Sequence, residues 1–356
     1  MSASRVPFVC PLCHGPLRAE RNHHACLECG RTYPVVCGIP DFRVDPDPYI
    51  SIETDRQKGV GLYERGRELT FEQLVRHYYA ITPEDPPDLA ARWTARALQE
   101  VEIARRVMLD AVRGSPRSGG ALLDIGCSTG ARLIACRGAH APLVGVDVAF
   151  RWLVIGGVRL REAGVPATLV CANAEHLPFP PGAFDAVTAF DVLEHVGDPA
   201  AAVREACRVS APGASLVCST NNRYAPLPEP NIHLWGVGYL PRKWQKQYVA
   251  RQRRDLHPYR IHLPGPRELR GWIGGAGYEA VRVEPARLET PHVHNRTLRL
   301  AARLYNGARR LPVIRTCLVL VGPQLLATAV RSGPAAQPDA TASPAWPLST
   351  AERADT

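Results

Sequence analysis

Two pairs of cysteines open the chain, Cys10-Pro-Leu-Cys13 and Cys26-Leu-Glu-Cys29, in the spacing C-x2-C-x12-C-x2-C. Each pair can turn two thiolates toward one point, and two such turns complete a tetrahedral zinc site. Four protein ligands leave no position for water, so the expected metal is structural; it replaces a core that forty residues cannot build. His14, His23 and His24 lie near enough in sequence to be alternative ligands, and Cys37 is expected to be a spectator. The opening MSASRVPFVC lacks the basic start and apolar run of a secretory signal, so the expected compartment is the cytoplasm. There, closely spaced cysteines indicate metal rather than disulfides.

A second constellation is the turn Asp124-Ile-Gly-Cys-Ser-Thr-Gly130, set between an apolar run and a helical segment. Gly126 and Gly130 let the backbone around Cys127 approach a ligand, and helix N–H groups point at its anionic end. Asp147 ends the next apolar run, at a distance suited to bonding both hydroxyls of a ribose. A dinucleotide fingerprint would want G-x-G-x-x-G, but Ser128 and Ala131 stand where its later glycines belong. The G-x-x-x-G spacing, with Asp124 available for an amine, suits a ligand carrying an amino acid in place of a pyrophosphate. S-adenosylmethionine (SAM) has that chemistry. Ser128 is compatible with the turn provided that it avoids positive φ.

Glu194-His195 follows a strand-like run at the position where acid–base chemistry would be placed. His195 titrates near neutrality and is the first candidate for a general base; otherwise the pair caps and packs the next helix. Residues 219–265 crowd polar and aromatic groups, among them Asn222, Arg223, Tyr224, His233 and Trp235, between Pro and Gly residues. This predicts a structured insertion that closes over an acceptor and supplies specificity; an oligomer contact or a plain surface loop is the alternative.

The elements that must hold these residues follow from periodicity. Strands are predicted at 120–125, 143–148, 167–172, 184–190, 214–219, 278–286 and 324–330, the first five separated by helices. This is an α/β fold, a Rossmann-like seven-stranded doubly wound sheet with a small N-terminal zinc ribbon. The predicted organisation is a zinc ribbon over 1–45, N-terminal helices over 46–119, a SAM-binding domain over 120–331 and a disordered tail over 332–356. Leu311–Val330 is interrupted by Pro312, Arg315, Gly322 and Pro323, so it reads as a helix end, a turn and a last strand rather than a membrane span.

The segment from Leu122 to about Val283 resembles class I SAM-dependent methyltransferases of the type 11 group. It carries their signatures in order: DIGCSTG, VGVDV, Asn173-Ala-Glu-His-Leu-Pro-Phe179, Phe184-Asp-Ala-Val, Asp191-Val-Leu-Glu-His-Val196 and Pro212-Gly213. The resemblance implies that Asp124, Gly126 and Gly130 hold the methionine part and Asp147 the ribose. It also implies that Asn173 and Ala174 meet the adenine edge and that Asp191 lies beneath the cofactor. Asn173 departs from the usual Asp, which implies weaker affinity. Tyr33 to Asp41 resembles the end of the Trm112-like zinc ribbon, with Cys37 where that module has Asp. The stretch from Asp191 to Arg223 is similar to ubiquinone-biosynthesis O-methyltransferases, which favours an oxygen acceptor on a small-molecule or lipid-linked metabolite.

Charge separates the competing partners. The chain carries a net +9, with Arg5–Asp47 neutral and Arg223–Arg331 in excess by +13. An RNA methyltransferase is the runner-up, because CPLCHGPL resembles the opening of a 23S rRNA guanine methyltransferase family; the neutral zinc segment makes nucleic acid the less favoured partner. A non-catalytic scaffold recruiting a protein through its zinc module is the other alternative. Arg296–Leu311 places leucines at helical intervals with arginines between them, a pattern compatible with peripheral contact on the inner membrane face. Oligomeric state has no signature.

Overall fold

The computed structural model describes residues 6–47, 49–82, 87–112, 119–229, 234–252, 262–289 and 295–333. It begins with a four-stranded antiparallel sheet, β1 (Leu17–Ala19), β2 (His23–Cys26), β3 (Thr32–Val36) and β4 (Ile39–Pro40), in that order. Three helices follow. Ser51 caps α1 (Ile52–Arg65), and Thr70 with Gln73 forms a reciprocal capping box on α2 (Phe71–Ala80). The long α3 covers Pro87–Val112.

The main sheet then alternates with helices: β5 (Leu122–Ile125), α4 (Ala131–Ala135), β6 (Leu143–Asp147), α5 (Phe150–Glu162), β7 (Thr168–Cys171), β8 (Phe184–Phe190), α6 (Pro199–Val209) and β9 (Ser210–Asn221). A 3-10 turn at Val237–Tyr239 precedes α7 (Arg242–Gln252) and α8 (Pro266–Gly275). The chain closes with β10 (Tyr278–Pro285), α9 (Arg296–Ala308), α10 (Pro312–Val321) and β11 (Gln324–Arg331).

The seven strands run in the order β10-β11-β9-β8-β5-β6-β7, with β5–β9 parallel and β11 antiparallel to both neighbours. The predicted doubly wound sheet is present, each strand within a few residues of its expected bounds. The largest difference is β9, which begins at Ser210 because α6 runs straight into it. Leu311–Val330 folds as a whole ten-residue helix and a strand, more helix than the interrupted pattern predicted. No helix among the described residues is long and apolar enough to cross a membrane. Beyond Gly333 the expected tail lies outside the described residues.

Strand order reverses on either side of β5, which puts the topological switch point directly above Asp124–Gly130. Fully buried Leu122, Leu123 and Val187 fill the sheet centre. The small sheet is fastened to the large one: Asp41 bridges Cys171 of β7 in parallel, and the Phe42 N–H donates to the Cys171 carbonyl at 2.7 Å. Phe42 is fully buried between Phe8 and Tyr33.

Candidate active site and zinc centre

The four expected cysteines converge. Cys10 and Cys29 lie 3.7 Å apart and Cys13 and Cys26 3.4 Å apart, with all four sulfurs within 4.8 Å of one another. A tetrahedron built on Zn–S bonds of about 2.3 Å has edges of roughly 3.8 Å, so the cluster has the dimensions of a closed structural zinc site. All eleven cysteines are free of disulfides. The cluster is made of the four cysteines alone; of the histidines, His23 pairs with Glu20 at 3.3 Å and the His24 ring packs on Phe8 and Phe42. Cys37 packs against the α1–α2–α5 core, away from the cluster.

The glycine-rich turn has the left-handed backbone that the spacing suggested, with φ of 68° at Gly126 and 72° at Gly130. A Cβ on Gly126 would meet Val192 at 2.2 Å, so the turn is shaped for glycine twice over. Ser128 overturns the expectation that it avoids positive φ: it sits at 46°. Left-handed φ thus recurs at every second residue of the turn, and the Ser128 N–H donates to the Asp147 carboxylate, 2.8 Å away. The second Asp147 oxygen accepts from the Ala149 N–H at 2.8 Å. Burial pushes this carboxyl up to about 6 despite those bonds. Cys127 contributes backbone only; its buried sulfur lies against Gly145, with the thiol held well above its usual range by burial.

Two expected cofactor contacts are given to other partners. Asp124, with no exposed surface, accepts from Arg132 Nε and from Thr188 Oγ1 at 2.7 Å, while Arg132 Nη2 donates to the Gly126 carbonyl at 2.6 Å. A guanidinium thus covers the acceptors that an amine would use. The Asn173 amide oxygen accepts from the Val44 and Asp45 N–H groups, and its nitrogen donates to the Asp45 carbonyl. Asn173 therefore clamps the segment leading out of the zinc ribbon instead of standing free for an adenine. Neighbouring Ala174 is packed in the core. The same segment is locked by buried ion pairs, Arg43 with Asp41 and Asp55 at 2.7 Å each, and Arg151 with Asp47 and Asp55 at 3.0 and 2.8 Å.

Beside the turn lies a cavity of about 550 Å³, in the size range of small-molecule sites. Asp191, His195, Asn222 and Arg223 line it, together with α3 residues Trp93, Arg96, Glu100 and Val107. Asp191 leaves β8 with φ of 55°, a strained conformation for a non-glycine residue, and accepts from Ser219 and Gln324. Burial lowers the pKa of His195, opposed by the charges of Asp191 and Asp47. The imidazole is thereby kept neutral at neutral pH.

Glu194 is not a member of this wall. It is fully buried, and its carboxylate accepts from Thr220 Oγ1 and from the backbone and side chain of Asn221. Burial, with Asp191 nearby, pushes it up to about 8. It ties β8 to β9, so of the expected pair only His195 lines the cavity. Tyr224 and Trp235 are exposed and do not line the cavity, although their neighbours Arg223, Ala225, Leu234 and Gly236 do. His233 lies outside the described residues.

Sequence reasoning missed the part played by α3 and Arg132. Thr129 of the glycine turn donates to Glu100 at 3.0 Å, and Arg159 bonds Thr129, Glu100 and the Ala97 carbonyl. The cavity roof is therefore stapled to the turn. The one signal for Arg132 was a lone charge in the apolar run Ala131-Arg-Leu-Ile-Ala135.

Comparison with known proteins places these features in context. A family model described as a methyltransferase domain matches residues 123–218. The chain is 38% identical over 133 residues to a ubiquinone biosynthesis O-methyltransferase of Chromobacterium violaceum, covering 36% of this chain and 56% of that one. It is 30% identical over 197 residues to the protein of that name from Pseudomonas paraeruginosa, covering 54% and 79% respectively. The chain thus spans little more than half the length of the first relative. The YcgJ protein of Bacillus subtilis shares 16% identity over 65% of this chain and all of that one, at a TM-score of 0.44.

Proposed function

Since the chain belongs to the class I SAM-dependent methyltransferase family, we propose that it methylates a small-molecule or lipid-linked acceptor, on oxygen, in the cavity beside Asp191 and His195. SAM supplies an electrophilic methyl group on a good leaving group, so the protein's work is alignment and exclusion of water. In this reading Gly126–Gly130 and Asp147 hold the donor. The α3 roof, stapled through Thr129, shuts water from the reacting centre.

An oxygen nucleophile has to lose its proton. His195 is the base in this proposal: it lines the cavity, burial keeps it neutral, and the Asp191 charge stabilises the imidazolium that forms. The observation that carries the reading is an imidazole lining a walled cavity at the sheet's switch point. The similarity to O-methylating relatives supports oxygen over nitrogen or carbon. The RNA and scaffold alternatives have no comparable support.

The test is calorimetry with SAM followed by screening of phenols and other hydroxylated metabolites for formation of the demethylated donor. Micromolar SAM binding and turnover with a hydroxyl acceptor are expected. No SAM binding at high micromolar concentration would end the proposal.

A further inference from the structure

The helices α9 and α10 leave an apolar surface uncovered. α9 buries Ala302 alone, and α10 has no buried residue. Val313 is 78% exposed, Leu304 66%, and Leu298 and Leu300 56% each, with Leu311 and Leu320 close behind. A helix as apolar as Val313-Ile-Arg-Thr-Cys-Leu-Val-Leu-Val321 belongs in a core or against lipid, since water gains nothing from it.

Charge decides what covers this surface. From Arg296 to Arg331 the sequence has seven arginines and no acidic residue. On α9, Arg296, Arg299 and Arg303 recur at three- and four-residue steps, along a row beside Leu300 and Leu304. Arg315 reaches Glu284 at 3.5 Å, an exposed pair that leaves the excess intact. Two copies of such a face would repel each other, whereas an anionic lipid surface complements both its charge and its apolarity.

The surface is also joined rigidly to the cavity. Asn306 of α9 exchanges hydrogen bonds with Leu288, and Asn222 donates to the Leu320 and Gly322 carbonyls at the end of α10. Leu288 and Asn222 are cavity walls, as is Arg309 just beyond α9.

We infer that the α9–α10 face seats the protein on an anionic bilayer, with its leucines and valines among the acyl chains and its arginines at the headgroups. The cavity then stands beside the lipid surface, which on the methyl-transfer reading suits an amphiphilic acceptor.

The experiment is co-sedimentation of the full chain with phosphatidylcholine vesicles, with and without phosphatidylglycerol, at rising salt. Expected is partitioning onto the anionic vesicles that weakens with salt. Arg299→Gln and Arg303→Gln should each weaken it about fivefold. Leu304→Asp combined with Val313→Asp should abolish it while leaving SAM affinity unchanged. Absence of partitioning onto anionic vesicles would overturn the inference. So would a dimer in sedimentation equilibrium that the double substitution splits, since the face would then cover a second copy. Vesicle binding is read without SAM, so its failure is distinguishable from failure of the methyl-transfer proposal.

Discussion

The guanidinium of Arg132 lies on the carboxylate of Asp124, with Nε 2.9 and 3.2 Å from its two oxygens. Asp124 is wholly buried in the last half of β5, and Arg132 lies in the first turn of the helix after the glycine turn. Burial pushes the Asp124 carboxyl up, and the Arg132 charge opposes this. Arg132→Met should therefore destabilise the protein by about 3 kcal/mol or more, because it leaves a buried acid unpaired. If a donor's amine takes the place of the guanidinium, saturating SAM should raise the melting temperature more in the variant than in the parent. An equal shift in both would mean that Asp124 plays no part in binding the amine.

His195→Gln should lower turnover by about a hundredfold or more while leaving SAM affinity intact. In the parent, the rate should rise with pH through a value below 6.5 and be level at neutrality, because burial lowers the His195 pKa and only the neutral ring is a base. Stopped assays from pH 5 to pH 8 (roughly the range in which histidine titrates) check this. The variant should lose that acid limb.

Glu194→Gln tests the separation of the neighbouring pair. The folded-state pKa of Glu194 is raised from 4.5 to about 8, so the folded protein holds a proton that the unfolded chain releases. Its contribution to stability is fully present below 4.5 and is lost as pH rises through about 8. Glutamine carries no charge; its oxygen can accept from both Asn221 donors while its amide nitrogen donates to Thr220 Oγ1, so the variant should gain stability relative to the parent as pH rises. Its turnover at neutral pH should stay within a few-fold of the parent's. Urea melts across that pH range, paired with turnover, are the measurement.

Ser128→Gly removes a side chain from a left-handed position at φ 46°. Such a position costs an L-residue roughly 1–2 kcal/mol, part of which glycine returns as chain entropy. A net stabilisation of about 0.5–1 kcal/mol is expected, with the Ser128 N–H still on Asp147 and SAM binding no weaker. A destabilised variant would show that the serine side chain contributes more than its strain costs.

Removal of zinc should loosen more than the ribbon. The cluster holds the sheet whose end, Asp41–Phe42, pairs with Cys171, and whose exit segment is clamped by Asn173 beside Asp147. A strong chelator should make all four cluster thiols reactive and weaken SAM binding, measured by thiol titration and calorimetry on the same sample. Unchanged SAM affinity in chelated protein would mean that the ribbon is only an attachment.

Much of this protein is written in short stretches of sequence. The two C-x2-C pairs, the alternation of apolar runs with helical periods, and the glycines of the Asp124–Gly130 turn each depend on neighbours a few residues apart. The local physics of turns, pleats and caps then fixes them wherever the chain goes. The metal cluster, the seven strands and the turn at the switch point were legible for that reason. The tertiary structure alone decided which polar group meets which. Asn173 was free to face an adenine until Val44 and Asp45, almost 130 residues earlier, folded back onto it. His195 and Glu194 are adjacent in sequence, yet one faces a cavity and the other is sealed between strands. Those outcomes depend on burial and on partners distant in sequence, and no local pattern encodes either.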